Sequence, residues 1–198
     1  MSIVIGLTGS IASGKSTISQ MFGDFNIPVV DADLISREVV EPGQPAYQKI
    51  IEAFGREVLR EDLTIDRKKL GRIVFAEADK RKQLNAIVHP EVRKEMVRKR
   101  EQLKEEYKAV VLDIPLLFES QLEDYADRTL VVFVDENTQL NRLMERDESS
   151  IEEAKQRIAS QIPVQKKAEM ADAVINNNGS VEESFKQLKA ILKQWEII

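Results

Sequence analysis

The chain has 198 residues, 42% hydrophobic and 32% charged, with 34 acids against 29 bases and a net charge of −5, enough for one packed core with a small satellite. No long basic block is present, Gly and Pro are few and Cys is absent, which excludes a nucleic-acid coat, a collagen or low-complexity chain and a disulfide scaffold, and fits a reducing compartment. The stretch Met1–Gly6 lacks a basic n-region and breaks at Thr8 and Gly9, and no apolar run approaches the ~20 residues of a membrane helix, so a soluble, cytoplasmic, globular protein is expected, without signal peptide or anchor.

Ile3–Thr8 is apolar throughout and reads as a buried parallel strand. A glycine-bounded loop follows, then a helix from Lys15 to about Phe25 with Ile18, Met21, Phe22 and Phe25 at helical spacing. Pro28–Asp31 is a second strand, 32–40 a helix, and Glu41-Pro42-Gly43-Gln44-Pro45 the clearest breaker. Helices are expected over 47–54, 67–76, 79–88 and 90–107, the last with Pro90 in its first turn and His89 at the junction before it. Strands at 109–113 and 129–134 follow, then a helix over 137–146 with Leu140, Leu143 and Met144 on one face, and a very polar helix from Ser150 that Pro163 ends at Ile162. Ala173–Ile175 is a short fifth strand. Ser180 and Glu183 form a capping-box pattern for a last helix whose core face is Val181, Phe185, Leu188, Leu192 and Trp195.

Strands alternating with helices predict an α/β protein, a doubly wound five-stranded parallel sheet with helices on both faces. The segment 43–107 has no strand of its own and reads as an inserted helical subdomain, leaving 1–42 and 108–198 as the core.

Gly9-Ser10-Ile11-Ala12-Ser13-Gly14-Lys15-Ser16 fits the phosphate-loop pattern G-x-x-x-x-G-K-[ST] without a mismatch, and it lies between a buried strand and an amphipathic helix. Backbone N–H groups of Gly9, Ala12, Ser13 and Gly14 belong to a loop that can cradle phosphate with the helix N-terminus. Lys15 would reach the β- and γ-phosphates, Ser16 would offer a hydroxyl to Mg²⁺, and Thr17 one to a phosphate. The motif alone does not separate a kinase from a switch GTPase or a transporter ATPase. Asp113 is followed by Ile-Pro-Leu rather than the x-x-Gly of a switch, no Asn-Lys-x-Asp occurs, and no Leu-Ser-Gly-Gly helix occurs. A small-molecule kinase fits the length, with ATP as co-substrate.

With these motifs in place the sequence resembles the dephospho-CoA kinase family. The resemblance runs through Gly6–Ser16, Asp31-Ala32-Asp33, Val40–Gly43, Leu84–Pro90, Pro115–Glu119, Arg142–Asp147, Arg157–Gln161 and Ala171–Gly179. It implies transfer of the ATP γ-phosphoryl to the ribose 3′-hydroxyl of dephospho-CoA, the last step in making coenzyme A. It also implies a P-loop kinase fold of three parts: nucleotide core, helical CoA domain over 43–107 and a mobile lid at about 145–165. Partners are then the small molecules ATP and dephospho-CoA, with Mg²⁺, no nucleic acid or membrane, and a monomer or small homo-oligomer. The rivals are another P-loop nucleoside or nucleotide kinase, and a nucleotide-binding regulatory module.

Asp33 is the candidate general base, just past the second strand at the edge where open α/β sheets bind ligands. On the residues alone it could equally cap the next helix; the resemblance places the acceptor-side carboxylate there. Asp31 is the rival base. Asp113 ends a strand in a Walker-B-like position, either holding Mg²⁺ through a water or only making a cap or turn. Arg142 and Arg146 share a helix face four residues apart and can stabilise charge on the moving phosphoryl, against the alternative of a solvated helix paired through Glu145 and Glu148. Arg93, Lys94, Arg98, Lys99 and Arg100 are interleaved with Glu91, Glu95 and Glu101 as on a solvated face, with one or two of the bases as alternative contacts for CoA phosphates. Asn177, in the turn after the last strand, is a plain turn residue on its own, and the resemblance tips it toward adenine.

Overall fold

The structure, a computed structural model, describes residues 2–198; Met1, which opens the apolar N-terminal stretch, lies outside them. The chain divides into two compact units, one formed by the chain up to Val30 and from Arg100 onward, the other by Asp31 to Lys99.

The larger unit is built on a parallel sheet. Its strands are β1 (Ile3–Gly9), β2 (Val29–Asp31), β3 (Ala109–Asp113), β4 (Arg128–Phe133) and β5 (Ala173–Asn176), in the order β2-β3-β1-β4-β5. β1 pairs in parallel with β3 on one side, Leu7 opposite Asp113, and with β4 on the other, Gly9 opposite Val132. The β1 and β3 runs are apolar on both faces because helices cover both. α1 (Lys15–Met21) and α9 (Val181–Gln194) bring Ile18, Met21, Leu188 and Leu192 against Ile5, Leu7, Leu130, Val132 and Ile175 in one buried cluster. Phe22 joins them from a single 3-10 turn over Phe22–Phe25, and Phe25 stacks on Phe185 with centroids 5.2 Å apart.

Ser180 and Glu183 close the expected capping box on α9. Its apolar face is shifted, however: Val181 is 62% exposed, and Ser184 is buried in its place. Val181 is the first residue of the helix, beside the cap, where side chains lie at the solvent edge. α6 (Glu136–Asp147) ends at Glu148 in the left-handed region, and α7 (Ile151–Ala159) starts after Ser150 with its own capping box. Pro163 does not simply end a helix. It is the N-cap of a further one, α8 (Val164–Met170), which sequence periodicity does not reveal.

The smaller unit carries α2 (Ala32–Glu38), α3 (Pro45–Phe54), α4 (Arg67–Ala76) and most of α5 (Ala78–Lys104); α3, α4 and the early turns of α5 pack around Tyr47, Ile50, Phe54, Val58, Ile65, Leu70 and Val74. The two helices expected over 79–88 and 90–107 are one, with Pro90 inside it. Proline removes one ladder hydrogen bond and crowds the preceding turn, at about 3 kcal/mol. Leu84, Ile87 and Val88 packed on the unit's core before it, and buried Met96 after it, hold the helix through that loss. His89 is therefore a mid-helix surface residue rather than one at a junction between two helices. Among the described residues no helix is long and apolar enough to cross a membrane.

Candidate active site

The phosphate loop leaves the carboxyl end of β1, the central strand, where open parallel sheets bind their ligands. The Ser13 N–H donates to the Ser10 carbonyl at 3.0 Å, closing a turn. Ala12 (φ 60°) and Gly14 (φ 83°) are left-handed, a run of backbone that makes an anion-binding concavity. Glycine is required twice for space. A Cβ on Gly14 would collide with the Asn177 amide nitrogen, and one on Gly9 would lie 2.5 Å from Ser13 Oγ and 3.0 Å from the Val132 carbonyl. The Ser10 and Ser13 hydroxyls are buried without a hydrogen-bond partner among the described residues, orphaned groups of the kind that a bound ligand satisfies.

Side chains far along the sequence hold this loop from behind. The Gln161 side-chain oxygen accepts from the Ile11 N–H at 2.9 Å, and Gln139 Nε2 donates to the Ile11 carbonyl at 2.9 Å. Asn177 Nδ2 donates to the Ser13 carbonyl at 2.8 Å, while its Oδ1 accepts from Ser184 Oγ at 2.7 Å. Asn177 is buried in this role, so its amide acts on the loop backbone. Sequence reasoning missed Gln139, Gln161 and Ser184; the available signal was a polar residue on an otherwise apolar helix face, at 139 beside Leu143 and at 184 beside Leu188.

Lys15 begins α1, and its ammonium is paired with Oδ1 of Asp113 at the end of β3. The Asp113 carboxylate is thus turned to the loop lysine and is buried. Ser16 and Thr17, in the first turn of α1, are exposed. Arg142 and Arg146 share a helix face but have different neighbours. Arg142 Nη2 donates to the Asn177 carbonyl at 3.1 Å, beside the Gly14 position. Arg146 bonds Asp147 at 2.8 Å, and Arg157 of α7 pairs with the same carboxylate. The acid partner is Asp147, not Glu145 or Glu148. The Arg146 hydrogen bond, seconded by Arg157, holds the Asp147 carboxyl at a pKa of about 2.

In the smaller unit the capping question is resolved by Asp31. Its Oδ1 accepts from the N–H groups of Asp33 at 2.8 Å and Leu34 at 3.0 Å, so Asp31 caps α2 and Asp33 lies inside the first turn. The basic stretch of α5 is largely paired: Arg98 with Glu95, Lys99 with Glu38, Arg100 with Glu101.

A magnesium ion fits the oxygen donors at hand, one hydroxyl (Ser16) and one carboxylate (Asp113). Among the described residues no three His, Cys, Asp or Glu gather as a protein cage. Mg²⁺ ordinarily keeps several waters and binds through one or two protein groups plus substrate phosphates.

Comparison with known proteins reaches beyond the loop. The sequence model described as "Dephospho-CoA kinase" matches residues 3–183. The dephospho-CoA kinase of Bacillus cereus is 60% identical over 199 residues, covering all of both chains, and that of Oceanobacillus iheyensis is 58% identical over 198, again covering both. Among solved structures, dephospho-CoA kinase from Campylobacter jejuni aligns at a TM-score of 0.70 with 28% identity, over 98% of this chain and 97% of that one. Shikimate kinase from Aquifex aeolicus, at 0.53 and 19% over 98% and 99%, shares the P-loop kinase fold. With that model matching residues 3–183 and relatives near 60% identical over the whole chain, the chain belongs to the dephospho-CoA kinase family.

Proposed function

We propose that the chain transfers the γ-phosphoryl of ATP to the ribose 3′-hydroxyl of dephospho-CoA, giving CoA and ADP, in the cytoplasm. The observation that carries this reading is the family likeness through the whole chain, including the helical unit that a phosphate loop by itself does not require.

Phosphoryl transfer passes through a loose transition state, so the protein's work is placement and charge stabilisation. The loop amides hold the β- and γ-phosphates. Lys15 exchanges Asp113 for the phosphates and follows the charge on the transferred group. Ser16 would hold a magnesium ion through its hydroxyl, with Asp113 reaching it through a water, and the ion would supply positive charge to offset that of the phosphates. Asp33, relieved of capping by Asp31, orients the acceptor hydroxyl and takes its proton. The helical unit takes up dephospho-CoA; it carries a cavity of about 320 Å³ lined by Glu38, Gln44, Glu91, Lys94 and Arg98 among others. Segment 145–165 serves as a lid: Arg142 and Arg146 at its base meet the phosphoryl once it closes and excludes water.

Incubation with ATP, Mg²⁺ and dephospho-CoA, with mass analysis of products, tests the reading against shikimate and nucleosides as acceptors. CoA and ADP in equal amounts are expected. Turnover on a nucleoside or shikimate with none on dephospho-CoA would overturn it.

A further inference from the structure

Lys167 is a side chain that sequence reasoning passed over. It lies on α8, is fully buried, and its ammonium meets two groups: Glu119 Oε1 at 2.7 Å and the carbonyl oxygen of Gly9 at 3.3 Å. Gly9 is the first residue of the phosphate loop. Glu119 Oε1 also accepts from the Ile162 N–H at 3.1 Å, and Glu119 Oε2 is buried with no partner among the described residues. One carboxylate therefore ties down both the turn after α7 and the middle of α8. The same turn reaches the loop a second time, where Gln161 accepts from the Ile11 N–H.

We propose that Lys167 and Glu119 are a positioning pair that clamps the phosphate loop to the segment 161–167. A buried ammonium persists only when paired, and such pairs contribute little net stability against an apolar replacement. Their value here is placement. A carbonyl at the start of an anion cradle presents the wrong sign to a phosphate. Bound to the ammonium, the Gly9 oxygen is committed to the protein interior, and the amides after it stay available to the ligand. Because Ile162 and Lys167 share Glu119, movement of the α7 turn and the setting of the loop are coupled.

The proposal rests on the kinase reading only for its transfer readout, so binding and turnover are measured separately. Lys167→Met, Lys167→Arg and Glu119→Gln are compared with the full-length parent for calorimetric affinity toward a non-hydrolysable ATP analogue with Mg²⁺, for dephospho-CoA affinity, and for kcat. Lys167→Met should weaken the analogue and lower kcat by about tenfold or more each, as small misplacements of a catalytic cradle do, with dephospho-CoA affinity unchanged. Glu119→Gln should fall between, and Lys167→Arg should recover most of the loss. A purely structural pair predicts a lowered Tm with analogue affinity and kcat per folded molecule within twofold of the parent, and that result overturns the proposal. So does failure of both Lys167→Met and Glu119→Gln to fold, which would assign the pair to stability. A parent that binds the analogue but transfers nothing to dephospho-CoA would sink the kinase reading and leave the clamp to be decided by affinity.

Discussion

Lys15, the first residue of α1, and Asp113, at the carboxyl end of β3, form an ion pair with side chains 19% and 5% exposed. The lysine proposed to meet phosphate is thus already engaged by a buried carboxylate. Removing only the lysine leaves that carboxylate buried and unpaired, which costs more than the pair itself contributes.

Lys15→Ala should therefore lose at least about 10²-fold in kcat and also roughly 1–3 kcal/mol of stability. Adding Asp113→Asn should restore the stability without restoring turnover. Thermal melts of the single and double variants beside steady-state kinetics give both readouts. Equal melting of the two variants would show that Asp113 is not left stranded.

Asp31 and Asp33 should separate cleanly. Asp31→Ala removes two hydrogen bonds at the start of α2 and should cost about 1 kcal/mol, as loss of a helix cap does. Asp33→Asn keeps shape and should leave Tm and substrate binding alone while lowering kcat by ~10²–10⁴-fold, nearer the low end if the hydroxyl proton leaves late. A kcat for Asp33→Asn within a few-fold of the parent at saturating substrates would remove it from the catalytic set.

The phosphate loop was legible because its chemistry demands glycine, lysine and hydroxyl at fixed spacing. The strands were legible because Val4–Leu7 and Val110–Leu112 can only be buried on both faces. What holds the loop was not legible. Lys167 reads as a surface residue on any composition rule, and only the fold brings Glu119 and Gly9 to it. Pro90 reads as a boundary by local propensity, and tertiary packing on either side overrides it. Pro163 reads as the stop of a helix reaching Ile162, whereas α7 ends at Ala159 and Pro163 instead precedes a helix that is short and lacks a strong apolar stripe.

Arg142 and Arg146 should diverge despite their shared face. Arg142 braces Asn177, which itself holds the Ser13 carbonyl, so Arg142→Ala should weaken ATP binding as well as lower kcat. Arg146 is paired with Asp147 at the surface, and Arg146→Ala should lower kcat with ATP affinity nearly unchanged, as for a group engaged after closure. Equal effects of both substitutions on the Kd of a non-hydrolysable ATP analogue would refute the distinction.

Asp147 gives a prediction with a definite pH window. Arg146 and Arg157 hold its carboxyl at a pKa of about 2, below the ordinary 3.8. A depressed carboxylate contributes stability that is present above its unfolded value and fades as pH falls through the folded one. Asp147→Asn should therefore melt slightly below the parent at pH 7, by a few degrees at most because the pair is exposed and screened. The gap should stay constant down to about pH 5 and narrow progressively toward pH 2. Raising salt at pH 7 should narrow it in the same direction. Activity follows a different rule. Asp147 stays ionised through the neutral range, so any acid limb in kcat between pH 5 and 8 must belong to another group and should persist in Asp147→Asn. The substitution also releases Arg146 and Arg157 from a competing anion, so affinity for the ATP analogue should hold or rise. A kcat profile whose acid limb disappears in Asp147→Asn, or a melting gap that widens on acidification, would show that this carboxylate is not the low-pKa latch between α6 and α7.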